Sequence, residues 1–401
     1  MPPLQRLVVS ALRISIVGAC CYGIWSSLTL ARAGYLFKQD TEQSVRAAVG
    51  LVPDGWEYCM RLSELDQAHA RELLSESLRL NRYNSQADIE LGLQYEADGD
   101  FPDAEKLLLE AYDVDHTYTP RWSLANYYLR RDNMPEFWAW ARSAAAMPNE
   151  DIGSLFELCW RVTSNPDAIN RAILNEKPEM IRQYIGFLLG KNQPAAVAAV
   201  AAQLVRWGDP ATDRPLLLDI VDNQVDLNEG AAAARLWHLL VERHWVNADS
   251  TVPNNAGFRR EPLPVSFDWL LQDYQGLHSW PGASGLESEF GGTQPEDCII
   301  AQQAVVLRPG NYAMSYSYHT SDISPASGIH WQIVDAKTGT VLAESPDLSS
   351  DALLSSGFGF SVSTAAPLLQ LRLVYRRALG TARISGMLDV VSTQIQAIPK
   401  T

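Results

Sequence analysis

The sequence predicts a multidomain chain, α first and then β: an N-terminal membrane helix, an α-solenoid of helix pairs, and a C-terminal antiparallel β-sandwich or jelly roll. Three observations predict it. A charge-free run, ISIVGACCYGIWSSLTLA, fills Ile14–Ala31. Hydrophobic, glycine and small-residue positions recur every 34 residues between 54 and 150. Beyond Asn247 the apolar spacing changes from helical to alternate residues.

The first element, residues 1–38, is read as an anchor. Arg6 and Arg13 precede the apolar run, which approaches the ~20 residues of a spanning helix if Leu7–Leu12 or the segment after Arg32 adds to it. The basic flank predicts a cytoplasmic N-terminus, with the bulk of the chain across the membrane. A cleaved signal sequence is the alternative, because Ala31-Arg32-Ala33 has the small-x-small form of a cleavage site. The apolar stretch is longer than a usual signal core of ~7–15 residues, which favours an uncleaved anchor.

Residues 39–246 predict the solenoid. Leu91, Gly92, Tyr95, Gly99, Phe101, Ala104 and Ala111 set the register. Ala125, Asn126, Leu129, Asn133 and Ala145 follow 34 residues later, with Trp122 three residues ahead of Ala125; Ala70 and Ser77 precede by the same interval. The residue types have physical causes: Gly99 ends a helix, while Ala104 and Ala111 let two helices approach closely. Helical periodicity continues from 151 to 246, punctuated by Pro166, Pro178, Pro194 and Pro210. Stacked pairs bury a continuous core that one pair cannot.

Residues 247–264 (NADSTVPNNAGFRREPLP) are rich in Asn and Pro and are read as a linker. Residues 265–396 then predict the sandwich. Tyr312, Met314, Tyr316 and Tyr318 alternate with small residues, as do Phe358, Phe360 and Val362. Leu369–Tyr375 and Ile384–Val390 repeat the pattern, with turns at Pro309-Gly310 and Thr338-Gly339 between runs.

Composition narrows function. The net charge is −15, so a surface that neutralises phosphate backbones is disfavoured. The densest basic run, Arg372 with Arg376 and Arg377, is interrupted by Leu373-Val374-Tyr375 and reads as a strand edge. Five cysteines, two of them in the apolar segment, supply neither C-x-x-C nor an even set for disulfides.

Residues 54–150 resemble tetratricopeptide repeats, which implies a concave groove for a peptide or a partner's helix. Residues 265–396, with Leu307–Tyr312, Ser327–Ile333 and Ala382–Val391, look like the galactose-binding-like jelly roll of carbohydrate-binding modules. The whole order, including Phe267-Asp268-Trp269 and the Pro120–Tyr128 and Phe137–Arg142 stretches, is similar to repeat proteins of bacterial exopolysaccharide and O-antigen systems. That likeness implies an assembly or regulatory partner in surface-polysaccharide production, without catalysis of its own.

Candidate sites follow from residue type. Arg121, Trp122, Asn126 and Arg130 are candidates to line the protein-binding groove, since aromatics and Arg favour interfaces. Trp280, in a Gly/Pro/Ser loop (His278–Gly282), and Trp269 are candidates to stack on a sugar ring; Trp331, flanked by Ile329 and Ile333, reads as core. No catalytic constellation is recognised. Asp113, Asp115 and His116 read as a helix end, and His238 and His244 lack zinc spacing. Glu287 and Glu289 with Asp268 or Asp273 leave a glycoside hydrolase as a third reading. No cofactor or metal is expected.

The sequence thus predicts a non-catalytic, single-pass protein of the bacterial inner membrane with its bulk in the periplasm; secretion after signal cleavage is the alternative. Envelope proteins are the expected partners, with direct glycan binding through the jelly roll as the alternative.

Overall fold

The computed structural model of the protein describes residues 3–147, 152–174, 176–249, 251–362 and 368–399. The chain forms two compact units, Met1–Leu158 with Arg171–Ile173, and Cys159–Asn170 with Leu174–Thr401.

The first unit is helical. Helix α1 (Pro3–Phe37) holds the segment Leu12–Phe37, which by length and composition suffices to cross a membrane. Then come α2 (Glu42–Leu51), α3 (Trp56–Leu65), α4 (Ala70–Leu80), α5 (Ser85–Ala97), α6 (Phe101–Val114), α7 (Tyr118–Arg130) and α8 (Met134–Ala145). They pack as the pairs α1/α2, α3/α4, α5/α6 and α7/α8, each on the next.

Local sequence starts and stops these helices. Asn84, Asp100 and Asn133 accept from the N–H groups of Ala87, Asp103 and Glu136, capping α5, α6 and α8. Gly99 takes a positive φ (84°) at the α5–α6 turn. Gly92 is where that pair touches: a Cβ there would meet Leu108 Cγ at 3.2 Å and Ala104 O at 3.3 Å. Ala104, Leu108 and Ala111 are fully buried. The spacing read from the sequence is therefore the spacing of close helix approach.

Helix α9 (Gly153–Val162) crosses the division between units. Helix α10 (Pro166–Ile173) is divided too, Arg171–Ile173 falling in the first unit, and the second unit continues with α11 (Pro178–Gly190), α12 (Pro194–Trp207), α13 (Pro210–Asp226) and α14 (Gly230–Glu242). Each of the four prolines is a first-turn residue, where the missing N–H has no helical partner to lose.

Among the described residues the sandwich has ten strands: β1 (Leu270–Leu271), β2 (Leu277–Pro281), β3 (Leu286–Gly291), β4 (Asp297–Val306), β5 (Gly310–Ser321), β6 (Ile329–Asp335), β7 (Val341–Glu344), β8 (Leu354–Val362), β9 (Leu368–Arg376) and β10 (Ser385–Ala397). One antiparallel sheet runs β1-β4-β9-β6-β7 and the other β2-β3-β10-β5-β8. Between them lie Met314, Tyr316, Tyr318, Trp331, Leu371, Leu373, Tyr375, Leu388 and Val390, the inward half of the alternation.

Three expectations change. Residues 247–264 are not a free linker. Phe258 is buried in the sandwich core; Ile395 and Thr393 donate N–H bonds to Val252 O and Ala256 O, extending β10 where β3 stops. Asn254 N–H donates to Gln303 Oε1 (2.7 Å), and Gln303 Nε2 returns to Asn254 O (3.0 Å). The division of the chain also lies near 158, not at 246, because the late helices belong with the strands. Trp237 on α14 stacks on Phe267 (5.9 Å), and Asp222 on α13 accepts from Ser266 N–H (2.7 Å). Finally, Arg372 lies on β9, the middle strand of its sheet, and not on an edge.

Candidate functional site

Two surfaces present side chains in a pattern that a partner could read. The first is the outer face of the β2-β3-β10-β5-β8 sheet. Register sets Trp280 opposite Glu287, Glu287 opposite Asp389, and Asp389 opposite His319, one row across four strands. Because facing residues share a side of the sheet, all four point outward, while Ser279, Ser288, Leu388 and Thr320 beside them are buried.

The row is held by its own contacts. Trp280 Nε1–H donates to Glu287 Oε2 (3.1 Å), and its ring stacks on His278 (5.1 Å between centroids, 28° apart). His278 Nδ1 lies 2.8 Å from Asp273 Oδ1. His319 Nε2 lies 2.8 Å from Asp389 Oδ2. Burial pushes the Asp389 carboxyl up from its ordinary value; the neighbouring His319 opposes this and the Glu287 charge adds to it. Beyond the row the outer face is flat and small: Ser317, Ser315 and Ala313 on β5 face Ser355, Gly357 and Gly359 on β8. The half-buried indole of Trp280 lies on β2, at the opposite edge of this sheet, with the carboxylates of Glu287 and Asp389 on the two strands between it and the small-residue floor.

Trp280 is thus placed on an edge strand and not in a loop. Trp269, the other sugar-stacking candidate, is corrected: it is 1 % exposed, packs on Phe258 (4.7 Å), and donates Nε1–H to Asn255 O (3.1 Å). It is core, as Trp331 is. Asp268 is removed from the hydrolase reading in the same way. It is fully buried and accepts from Arg260 Nη1 (2.6 Å), Leu263 N–H (3.1 Å) and Trp269 N–H (2.8 Å), so it has no reach to a substrate. Asp115, at the end of α6, accepts from Thr117 N–H and Ser85 Oγ. Among the described residues no three His, Cys, Asp or Glu side chains converge as metal ligands.

The second surface is that of the first helices of successive pairs, α5 and α7. Arg130 donates to Glu96 with Nε and Nη2 (2.8 and 2.6 Å), linking α7 to α5, next to Leu93, which is 41 % exposed. Arg121 turns elsewhere. Its Nη1 donates to Ser143 O (3.1 Å) on α8 and lies 2.6 Å from Met147 Sδ, while its guanidinium sits 5.4 Å from the Tyr112 ring on α6. Asn126 Nδ2 returns to Trp122 O (2.9 Å), and Trp122 is half-buried with no hydrogen-bond partner for its Nε1 among the described residues. Of the four residues predicted to line a groove, Arg130 alone is seen to bridge first helices. Glu96, Asp389 and His319 were not singled out in the sequence. The outward alternation Ser315, Ser317, His319 was the available signal for the last.

No protein-family model matches the chain, and no curated protein does. Among solved structures it is similar to a family 4 carbohydrate-binding module (16 % identity, TM-score 0.28), with 36 % of this chain and 99 % of that one covered. It is also similar to a carbohydrate-binding module from Cellvibrio mixtus lichenase 5A in complex with cellotriose (9 %, TM-score 0.22; 32 % and 92 % covered). It is similar as well to YrrB, a tetratricopeptide protein with an unusual peptide-binding site (9 %, TM-score 0.24; 51 % and 93 % covered). At such scores the two architectures rest on the helix pairing and strand register described above.

Proposed function

We propose that this chain is a membrane-anchored, non-catalytic scaffold that binds a protein partner through its stacked helix pairs in the production of surface polysaccharide. Its bulk lies on the periplasmic side of a bacterial inner membrane. The observation that carries the reading is the α5–α7 face: an open row of first helices, fixed by Glu96–Arg130 and offering the exposed Leu93. First helices of successive stacked pairs present a continuous face to an extended partner segment. A photo-crosslinker at Leu93 in the full chain, in its native membrane, tests it. Adducts with glycosyltransferase, polymerase or export proteins are expected; a label that captures nothing above a label placed at Lys106 sinks the reading.

A second reading, direct glycan binding, is favoured by Trp280 alone, since an outward-facing indole on an edge strand, hydrogen-bonded to Glu287 and stacked on His278, has no core function. Retarded migration of the protein in polysaccharide-containing native gels, lost in Trp280→Ala, is the expected result. Unchanged migration in both gels removes it.

A further inference from the structure

The two edges of the repeat stack differ in chemistry, and α1 decides which one meets the membrane. Helices that alternate in direction place every second connection on the same edge. The α1–α2, α3–α4 and α5–α6 turns share one edge, which carries Lys38, Asp40, Asp66, Asp98 and Asp100. The α2–α3, α4–α5 and α6–α7 connections share the other, and the last of these, farthest from α1, carries Asp113 and Asp115. The α2–α3 corner is its apolar part. There the chain is uncharged from Ala47 to Pro53, with Asp54 and Glu57 the nearby acids, and Trp56 opens α3. At the next connection Tyr83 is 73 % exposed, with Arg82 at 5.9 Å from its ring.

Depth follows from α1. Along its described side chains from Leu12 on, Ser26, Thr29, Ala33, Gly34, Leu36 and Phe37 are withdrawn from solvent. Their spacing makes one helical stripe, and α2, turned back at Lys38–Thr41, covers it. Arg61 holds that turn, donating Nε and Nη2 to the Asp40 carboxylate (2.7 and 2.8 Å). Ser26 to Phe37 rises about 16 Å, matching the roughly 15 Å length of α2. The end of α2 and the α2–α3 corner are therefore level with Ser26.

Below that level α1 stands free, every residue from Leu12 to Trp25 being exposed. Ile14–Trp25 gives only about 18 Å, short of a hydrocarbon core of ~30 Å. Carrying the span down to Leu7 gives about 28 Å, with Arg13 reaching back to the headgroups along its aliphatic stem. The upper boundary then falls at Trp25–Ser26, level with the corner. Tyr22 (68 % exposed) and Trp25 (63 %) lie at that interface, where amphipathic aromatic rings concentrate. A boundary set higher, at Arg32, sinks the corner further into lipid.

We propose that the α2–α3 corner, Val49–Trp56, is a lipid-binding surface. It docks into the interfacial layer of the bilayer that α1 crosses, with the charged Lys38–Thr41 turn held toward water at the other end of α2. The inference rests on reading α1 as a membrane span.

The test uses the full chain in phosphatidylethanolamine–phosphatidylglycerol vesicles, with Cys20 and Cys21 changed to Ser and one nitroxide at Val52→Cys or Gln67→Cys. Gln67 is exposed at the α3–α4 turn, on the charged edge. At Val52 we expect oxygen to reach the label better than a water-soluble nickel chelate does, with nickel access several-fold below that at Gln67. Pro53→Cys gives the same result and controls for perturbation at Val52. Equal nickel access at both edges, in protein that resists alkaline carbonate extraction, overturns the docking and leaves the span standing. Extraction by carbonate overturns both.

Discussion

Arg130 and Glu96 stand 34 residues apart in sequence and meet side by side in space, two N–H groups of the guanidinium donating to the two carboxylate oxygens at 2.8 and 2.6 Å. The repeat period thus appears as an ion pair between α5 and α7. The Glu96 side chain is 11 % exposed and that of Arg130 45 %. Such a pair contributes modestly, discounted by the solvent at Arg130, yet removing Arg130 leaves a nearly buried carboxylate alone. Arg130→Ala is expected to lower stability by about 1 kcal/mol and Glu96→Gln by less. Urea midpoints of the two variants check the order.

Gly92 reports on the closeness of α5 and α6. Leu108 Cγ at 3.2 Å can shift slightly, but Ala104 O at 3.3 Å is backbone. Gly92→Val is therefore expected to cost about 1–3 kcal/mol through overpacking, while Gly50→Val, with nothing near its side-chain position, costs far less of that kind. Thermal melts followed by circular dichroism separate the two.

The helical half was legible because its signals are local and periodic. Leu91, Gly92, Ala104 and Ala111 are small or apolar for reasons that recur at every pair, so spacing alone reveals them. The segment after Asn247 was not legible, because it is ordered by side-chain to backbone bonds that have no period. Asn254 and Gln303, 49 residues apart, do for each other what a neighbouring strand would do. Asn and Pro richness then resembles a linker. Trp269 and Trp280 illustrate the same limit at the candidate site. Trp280 sits among Gly, Pro and Ser because β2 and β3 form a tight hairpin: a Cβ on Gly282 would collide with the Glu287 side chain. Trp269 is covered by Phe258, a residue from the supposed linker.

Those two tryptophans separate stability from binding. Trp269→Ala empties a fully buried site and is expected to cost about 3–5 kcal/mol. Trp280→Ala removes a half-buried ring on an edge strand, so its melting temperature stays close to the parent's while any glycan binding is lost. Calorimetric melting beside affinity electrophoresis reads both. A large loss of stability in Trp280→Ala contradicts its assignment as a platform.

The buried pair Arg260–Asp268 is expected to behave as structure. Asp268→Asn leaves Arg260, whose side chain is 20 % exposed, without its counter-charge. A loss of about 3–5 kcal/mol is expected, the usual result of removing one partner of a buried pair. Chemical denaturation measures it, and a hydrolase role predicts a stable, inactive variant instead.

Asp88 gives the repeat unit a pH dependence of definite sign. It is 4 % exposed on α5, and burial, with Glu110 adding its charge, pushes its carboxyl up from 3.8 to about 7. The folded chain therefore holds this proton through a range in which the unfolded chain releases it. Stability from this group is fully present below pH 3.8 and is lost as pH rises toward and through about 7. Asp88→Asn, which cannot ionise, is expected to exceed the parent in stability by about 2–4 kcal/mol at pH 8, with the difference closing near pH 4. Denaturation midpoints of both proteins across that range test it. A gap that widens on acidification reverses the sign and removes Asp88 as its source.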